Sequence, residues 1–215
     1  MDMKFLYRHG KLSLILLLSL SFTLIYITNH CILTLEFYQN NGNALSGIPG
    51  QDARVYEALQ KWVYLTSAIW LMLRLGVIAL ILHTALYLHD HQLSFNSIFK
   101  ITVLAEFLFL IPAAIKVISF NYTFEHGTLL DWHKYYILSA LSLFNDVPAD
   151  WFYALKSFNL FEFGYWFLLA LGISKITKLG FDHSLRIVLI SYVPGLLIWI
   201  AVVTFFTLMM FPATG

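Results

Sequence analysis

The chain has 215 residues, of which 60% are hydrophobic and only 12% charged, and its mean hydropathy is +0.75. A soluble domain carries about 45–50% apolar and about 25% charged residues, so apolar surface on this scale calls for lipid rather than water around it. A formal net charge of +1 argues against a nucleic-acid binder held by phosphate contacts, and a single cysteine, Cys31, rules out an intrachain disulfide.

The first apolar run, 12–28, follows Lys4, Arg8 and Lys11. A basic flank before an apolar run fits either a retained anchor helix or a cleaved signal. The residues that follow, Asn29-His30-Cys31-Ile32, offer no small-x-small cleavage site, which favours the anchor. The stretch 40–50 is rich in Asn, Gly and Pro and reads as a loop. Asp52 is a plausible N-cap for a helix through Ala53, Tyr56, Leu59 and Gln60 that runs into a second apolar run, 62–88, interrupted by Arg74.

The third run, 98–120, carries Glu106, Pro112 and Lys116. The apolar stretch 135–144 is too short to span and reads as a buried or interfacial helix, ended by Asp146-Val-Pro-Ala-Asp150. The fourth run is 158–174, and the fifth is 185–211 with Pro194 and Gly195 inside it. Each of these runs is near the roughly 20 residues that cross about 30 Å of hydrocarbon. The expected fold is therefore an all-α polytopic integral membrane protein, a single transmembrane domain over 1–215 with about five membrane helices and one short non-spanning helix.

Basic residues enriched in short cytoplasmic loops set the expected orientation. Five spans would put Lys4, Arg8, Lys11, Lys100, Lys175, Lys178 and Arg186 on one side. Fewer, namely Arg54, Lys61, Lys134 and Lys156, fall on the other. The N-terminus is thus expected inside and the C-terminus outside.

An ionisable side chain within a span is costly and normally faces a partner inside the bundle. Arg74 and Glu106 lie at depths that the long arginine stem can bridge, which makes them the candidate intramembrane ion pair. Such a pair can serve packing alone, or line a path for an ion, proton or substrate. Lys116 and Glu162 sit at a similar level and could touch, or each could be solvated at its own helix end. Pro112 and the Pro194-Gly195 pair are expected to kink their helices and free backbone carbonyls.

His83, His89 and His91 approach metal-ligand composition, as do His126 and His133 near Asp131, yet a metal site needs three or four converging ligands. The expectation is no metal and no cofactor. Asn121-Tyr122-Thr123 fits a glycosylation sequon. No phosphate loop, His-Glu-x-x-His or nucleophile elbow is present, so nothing marks a nucleophile with its base.

The segment from Ala154 through Asn159-Leu-Phe-Glu162 and Gly164 to Gly172-Ile-Ser174, followed by a basic link and a last apolar helix, resembles the Yip family of small five-helix membrane proteins. The segment Leu93-Ser-Phe-Asn-Ser-Ile-Phe-Lys100, leading to Ala105, is similar to that family's entry into its third helix. The resemblance covers about 90–211. It implies five membrane helices, a cytoplasmic N-terminus and no catalytic residues. Eukaryotic members serve vesicle traffic with Rab-type GTPases, while some bacterial relatives accompany ABC-type exporters. The short stretch before Leu12 looks more like the bacterial branch.

The leading expectation is then a non-enzymatic accessory subunit of a bacterial inner membrane. It would bind a partner such as an ABC-type exporter or secretion component through small and polar faces like Ser139/Ser142 or Gly164 and Gly172. The alternatives are a small transporter or channel with a path by Arg74 and Glu106, and a metal enzyme built on His83, His89 and His91. The bilayer is the expected environment in each case, with no nucleic-acid partner.

Overall fold

The computed structural model describes residues 7, 9–40, 45, 51–144 and 147–210. Lys4, Arg8, most of the 41–50 loop, Asp146 and Phe211 lie outside the described residues. Helices dominate, in the order α1 Gly10–Cys31, α2 Leu35–Asn40, α3 Asp52–Leu88, α4 Phe95–Glu106, α5 Leu110–Thr123, α6 Leu129–Lys134, α7 Ala149–Ser157, α8 Leu160–Ile176 and α9 Phe181–Met210. A 3₁₀ turn, Phe107–Phe109, joins α4 to α5, and no strand forms among the described residues.

Four helical stretches are long and apolar enough to cross a membrane: α1, α3, the joined α4–α5 rod Phe95–Thr123, and α9. The fourth apolar run becomes α8, whose 17 residues reach about 25 Å at about 1.5 Å per residue, slightly less than the hydrocarbon thickness. Their outer faces remain apolar, with Ile111, Ile115 and Ile118 exposed on α5 and Leu197, Ile198, Phe205 and Phe206 exposed on α9. Hydroxyls on these faces fold back on their own helix: Thr66 donates to the Trp62 carbonyl, Ser119 to Ile115 and Thr207 to Val203. Polar groups satisfied within the helix need no water, which is what a lipid surrounding demands.

The core sits where α3, α4, α8 and α9 meet, around Ala79, Leu82, Leu86, Ile98, Ile101, Leu169, Ala170, Ile173 and Val188. Between helices in lipid there is no hydrophobic gain, so close approach through small residues does the holding. A Cβ added at Gly172 would overlap the Ile101 side chain, which is how near α4 and α8 come. Tyr7, Leu93, Ile176 and Leu179 all pack on this core.

Two expectations are corrected. Asp52 is the first helical residue and Gln51 holds the cap position. The 135–144 stretch is not a helix. Only Ala140–Leu143 forms a 3₁₀ turn, while Leu138 takes φ 51° and Ser139 forms a bridge with Asn159. The Ala140 N–H donates to the Phe158 carbonyl (2.8 Å) and the Leu160 N–H to Leu138 (3.0 Å). Those bonds tie the segment to the start of α8, and Leu141 is buried. Its apolar character comes from covering the bundle, not from helical periodicity. Pro112 follows a 3₁₀ segment that separates α4 from α5, where its missing N–H cannot bond residue 108. Pro194 lies within an unbroken α9, and Gly195 allows Ile81 of α3 to come close.

Candidate functional site: a buried ion pair between two cavities

Arg74 of α3 and Glu106 at the end of α4 meet with Nη1 3.0 Å from Oε1. Glu106 is 4% exposed, so its carboxylate has little besides Arg74 to offset the loss of water. The guanidinium lies over Phe109, 4.4 Å from the ring centroid, and 5.9 Å from that of Tyr165. Phe109 comes from the 3₁₀ turn next to Glu106, so the same local bend supplies the anion and the ring face. Glu106 Oε2 and the Tyr165 hydroxyl are buried and have no hydrogen-bond partner among the described residues.

Glu162 of α8 is also buried. The Asn159 side chain caps α8 by accepting from the Glu162 N–H at 2.8 Å. The Glu162 Oε1 then accepts from the Tyr192 hydroxyl of α9 at 2.6 Å and from Trp166 Nε1 at 3.1 Å. The Tyr165 and Tyr192 rings are 5.7 Å apart. Four helices thus contribute to one buried polar cluster, in which Arg74 is the sole cation among the described residues.

Lys116 does not reach Glu162. Its Nζ donates to the Trp132 carbonyl at 2.7 Å and stands 4.2 Å and 4.8 Å from the Trp132 and Tyr136 ring centroids. Lys156 of α7 is 4.6 Å from Tyr153 and 5.4 Å from Tyr136. Burial holds the Lys156 ammonium below its ordinary pKa. His133 is likewise held down, by burial first and then by the charges of Lys116 and Lys156.

Two cavities flank α5. The first, about 570 Å³, is lined by Arg74, Lys116, Lys156, Glu162 and Tyr192, with apolar walls from α3 and α9. The second, about 490 Å³, is lined by Glu106, Asn29, Gln60, Tyr56 and Lys116. Phe109, Ala113 and Lys116 line both. The ion pair therefore has its cation on one cavity and its anion on the other, a relation that no sequence signal could have given.

The remaining sequence candidates have structural contacts. His83 packs edge-on against Phe95, and His89 Nδ1 is 2.9 Å from the Ala85 carbonyl. Among the described residues no three His, Cys, Asp or Glu side chains converge to hold a metal. Of the small residues expected to bind a partner, Ser139 is buried, Gly164 approaches Leu108, Gly172 receives Ile101 and Ser142 is exposed.

Fold and site together define an all-helical protein with several membrane-length apolar helices and a buried ion pair among them. No family model matches the chain, and neither a curated protein nor a solved structure matches it.

Proposed function

We propose that this chain is an integral membrane protein of five membrane helices, α8 completing the set, that works as a small transporter. Its ligand passes between the two cavities beside the Arg74–Glu106 pair. The supporting observation is that Arg74 lines one cavity, Glu106 lines the other, and the two share Phe109, Ala113 and Lys116. A pair used only for packing has no need of cavities on both sides. The test is transbilayer movement of protons, chloride and fluorescent phosphatidylglycerol in proteoliposomes. At least one should move faster than in protein-free vesicles, and Arg74→Gln or Glu106→Gln should abolish it while melting in detergent stays cooperative. Flux that survives both substitutions would sink the reading.

A second reading is a non-enzymatic accessory subunit of Yip type. It would sit in a bacterial inner membrane with a cytoplasmic N-terminus and a periplasmic C-terminus, beside an ABC-type exporter or secretion component. The two segments that resemble the family, 93–105 and 154–174, pack directly on each other through Ile101 and Gly172, so they form one structural unit. This reading expects a near-stoichiometric transport partner to copurify in mild detergent, and a clean homo-oligomer would count against it.

A further inference from the structure

We propose that the larger cavity binds an anionic amphiphile taken from the bilayer, with its acidic head between Lys116 and Lys156 and its apolar body between α3 and α9. This names the ligand class for the transport reading above and rests on that reading of the cavity as a ligand site.

The charges carry the first part of the argument. Lys116 and Lys156 come from different elements, α5 and α7, yet both ammonium groups lie within 5.4 Å of the centroid of one ring, Tyr136. Like charges brought together in partly buried surroundings repel, and a fold gains nothing by it unless an anion comes between them. Among the described residues neither lysine meets a carboxylate. The cavity's one carboxylate, Glu162, is already bonded to Tyr192 and Trp166. The third cation, Arg74, gives Nη1 to Glu106 while its side chain stays 32% exposed on the cavity side of the pair. His133 is held below its ordinary pKa first by burial and then by the charges of both lysines. Tyr153 adds a donor: its hydroxyl accepts from Trp199 Nε1 at 3.0 Å and keeps its own proton to give.

The walls identify the rest of the ligand. Away from the lysines the lining includes Leu73, Val77, Ile198 and Val202, all exposed on α3 and α9. Trp70 and Trp199, with ring centroids 5.5 Å apart, stand beside them. An opening with that lining faces hydrocarbon, so a ligand enters sideways from the membrane and must tolerate an apolar wall along its length. A free inorganic anion would use only the lysine end. The volume of about 570 Å³ lies within the roughly 300–1,000 Å³ of small-ligand sites, room for a headgroup and part of a chain while the remainder stays in the bilayer.

The test uses the full chain in a neutral detergent and native mass spectrometry. Phosphatidylglycerol and phosphatidylcholine of identical chains are added in parallel, and inorganic phosphate serves as the competitor. The wild type should retain phosphatidylglycerol in preference by about ten- to thirtyfold, the ratio expected when two lysines each contribute a surface-type lipid contact. Lys116→Gln/Lys156→Gln should bring the two lipids to parity, and Lys116→Arg/Lys156→Arg should keep the preference, which separates charge from misfolding. Equal retention by the wild type, or a preference that survives the glutamine variant, overturns the inference. Displacement by equimolar inorganic phosphate overturns the amphiphile and leaves a plain anion site. Binding is read here without transport. Lost phosphatidylglycerol preference alongside Arg74-dependent flux therefore sinks this inference alone, and intact preference without flux sinks the transport reading alone.

Discussion

Arg74→Ala will destabilise the protein by about 3–5 kcal/mol, the cost of leaving a buried charge without its partner. Glu106 is 4% exposed, its Oε1 depends on Arg74, and its Oε2 has no hydrogen bond among the described residues. No other cation in the cluster can replace the arginine, because Lys116 is held by Trp132 and Tyr136. Part of the loss will come from the guanidinium leaving the Phe109 face. The double replacement Arg74→Met/Glu106→Met should recover most of the stability, since an apolar pair of similar volume avoids the desolvation penalty altogether. Thermal unfolding in detergent checks both. A double variant as unstable as the single one would mean that the loss comes from packing by the arginine stem. A stable double variant that has lost flux would assign the pair to transport, because stability alone would have been better served by methionine.

The ion pair was legible in the sequence because charge inside an apolar run must find a partner, and distance along the helix axis gives its depth. Depth is only one coordinate. Lys116 and Glu162 stand at similar levels, but rotation about each helix axis decides what a side chain faces, and no linear pattern reports it between separate helices. Glu162 instead turns to Tyr192, thirty positions away. Its other partner, Trp166, is four residues on in the same helix and was within reach of an i, i+4 reading. The 135–144 stretch misled because ten apolar residues look alike whether they form a helix or cover a bundle. The backbone bonds between the 138–140 and 158–160 segments chose the second. The cavities had no local signal at all, since the first gathers residues of α3, α5, α7, α8 and α9 and the second gathers residues of α1, α3 and α5.

Tyr192→Phe should cost about 1.5–3 kcal/mol, the range for a hydrogen bond to a charged group. The hydroxyl is 2.6 Å from Glu162 Oε1, and both residues are buried. Losing it leaves the Trp166 N–H as the carboxylate's remaining side-chain donor, at a longer 3.1 Å. Glu162→Gln keeps an acceptor oxygen in place but removes the charge, so its own loss should be smaller. Tyr192→Phe made in that background should cost only about 0.5–1.5 kcal/mol, as for a neutral pair. The difference between the two values is the coupling energy, read from a double-mutant cycle on melting in detergent. A coupling near zero would mean that water reaches Glu162 through the cavity and takes over the hydroxyl's place. A large coupling would mean that the clamp between the first turn of α8 and the middle of α9 is dry. In that case Glu162 is withheld from the cavity's cations, which is the condition for Lys116 and Lys156 to remain open to an anion from outside.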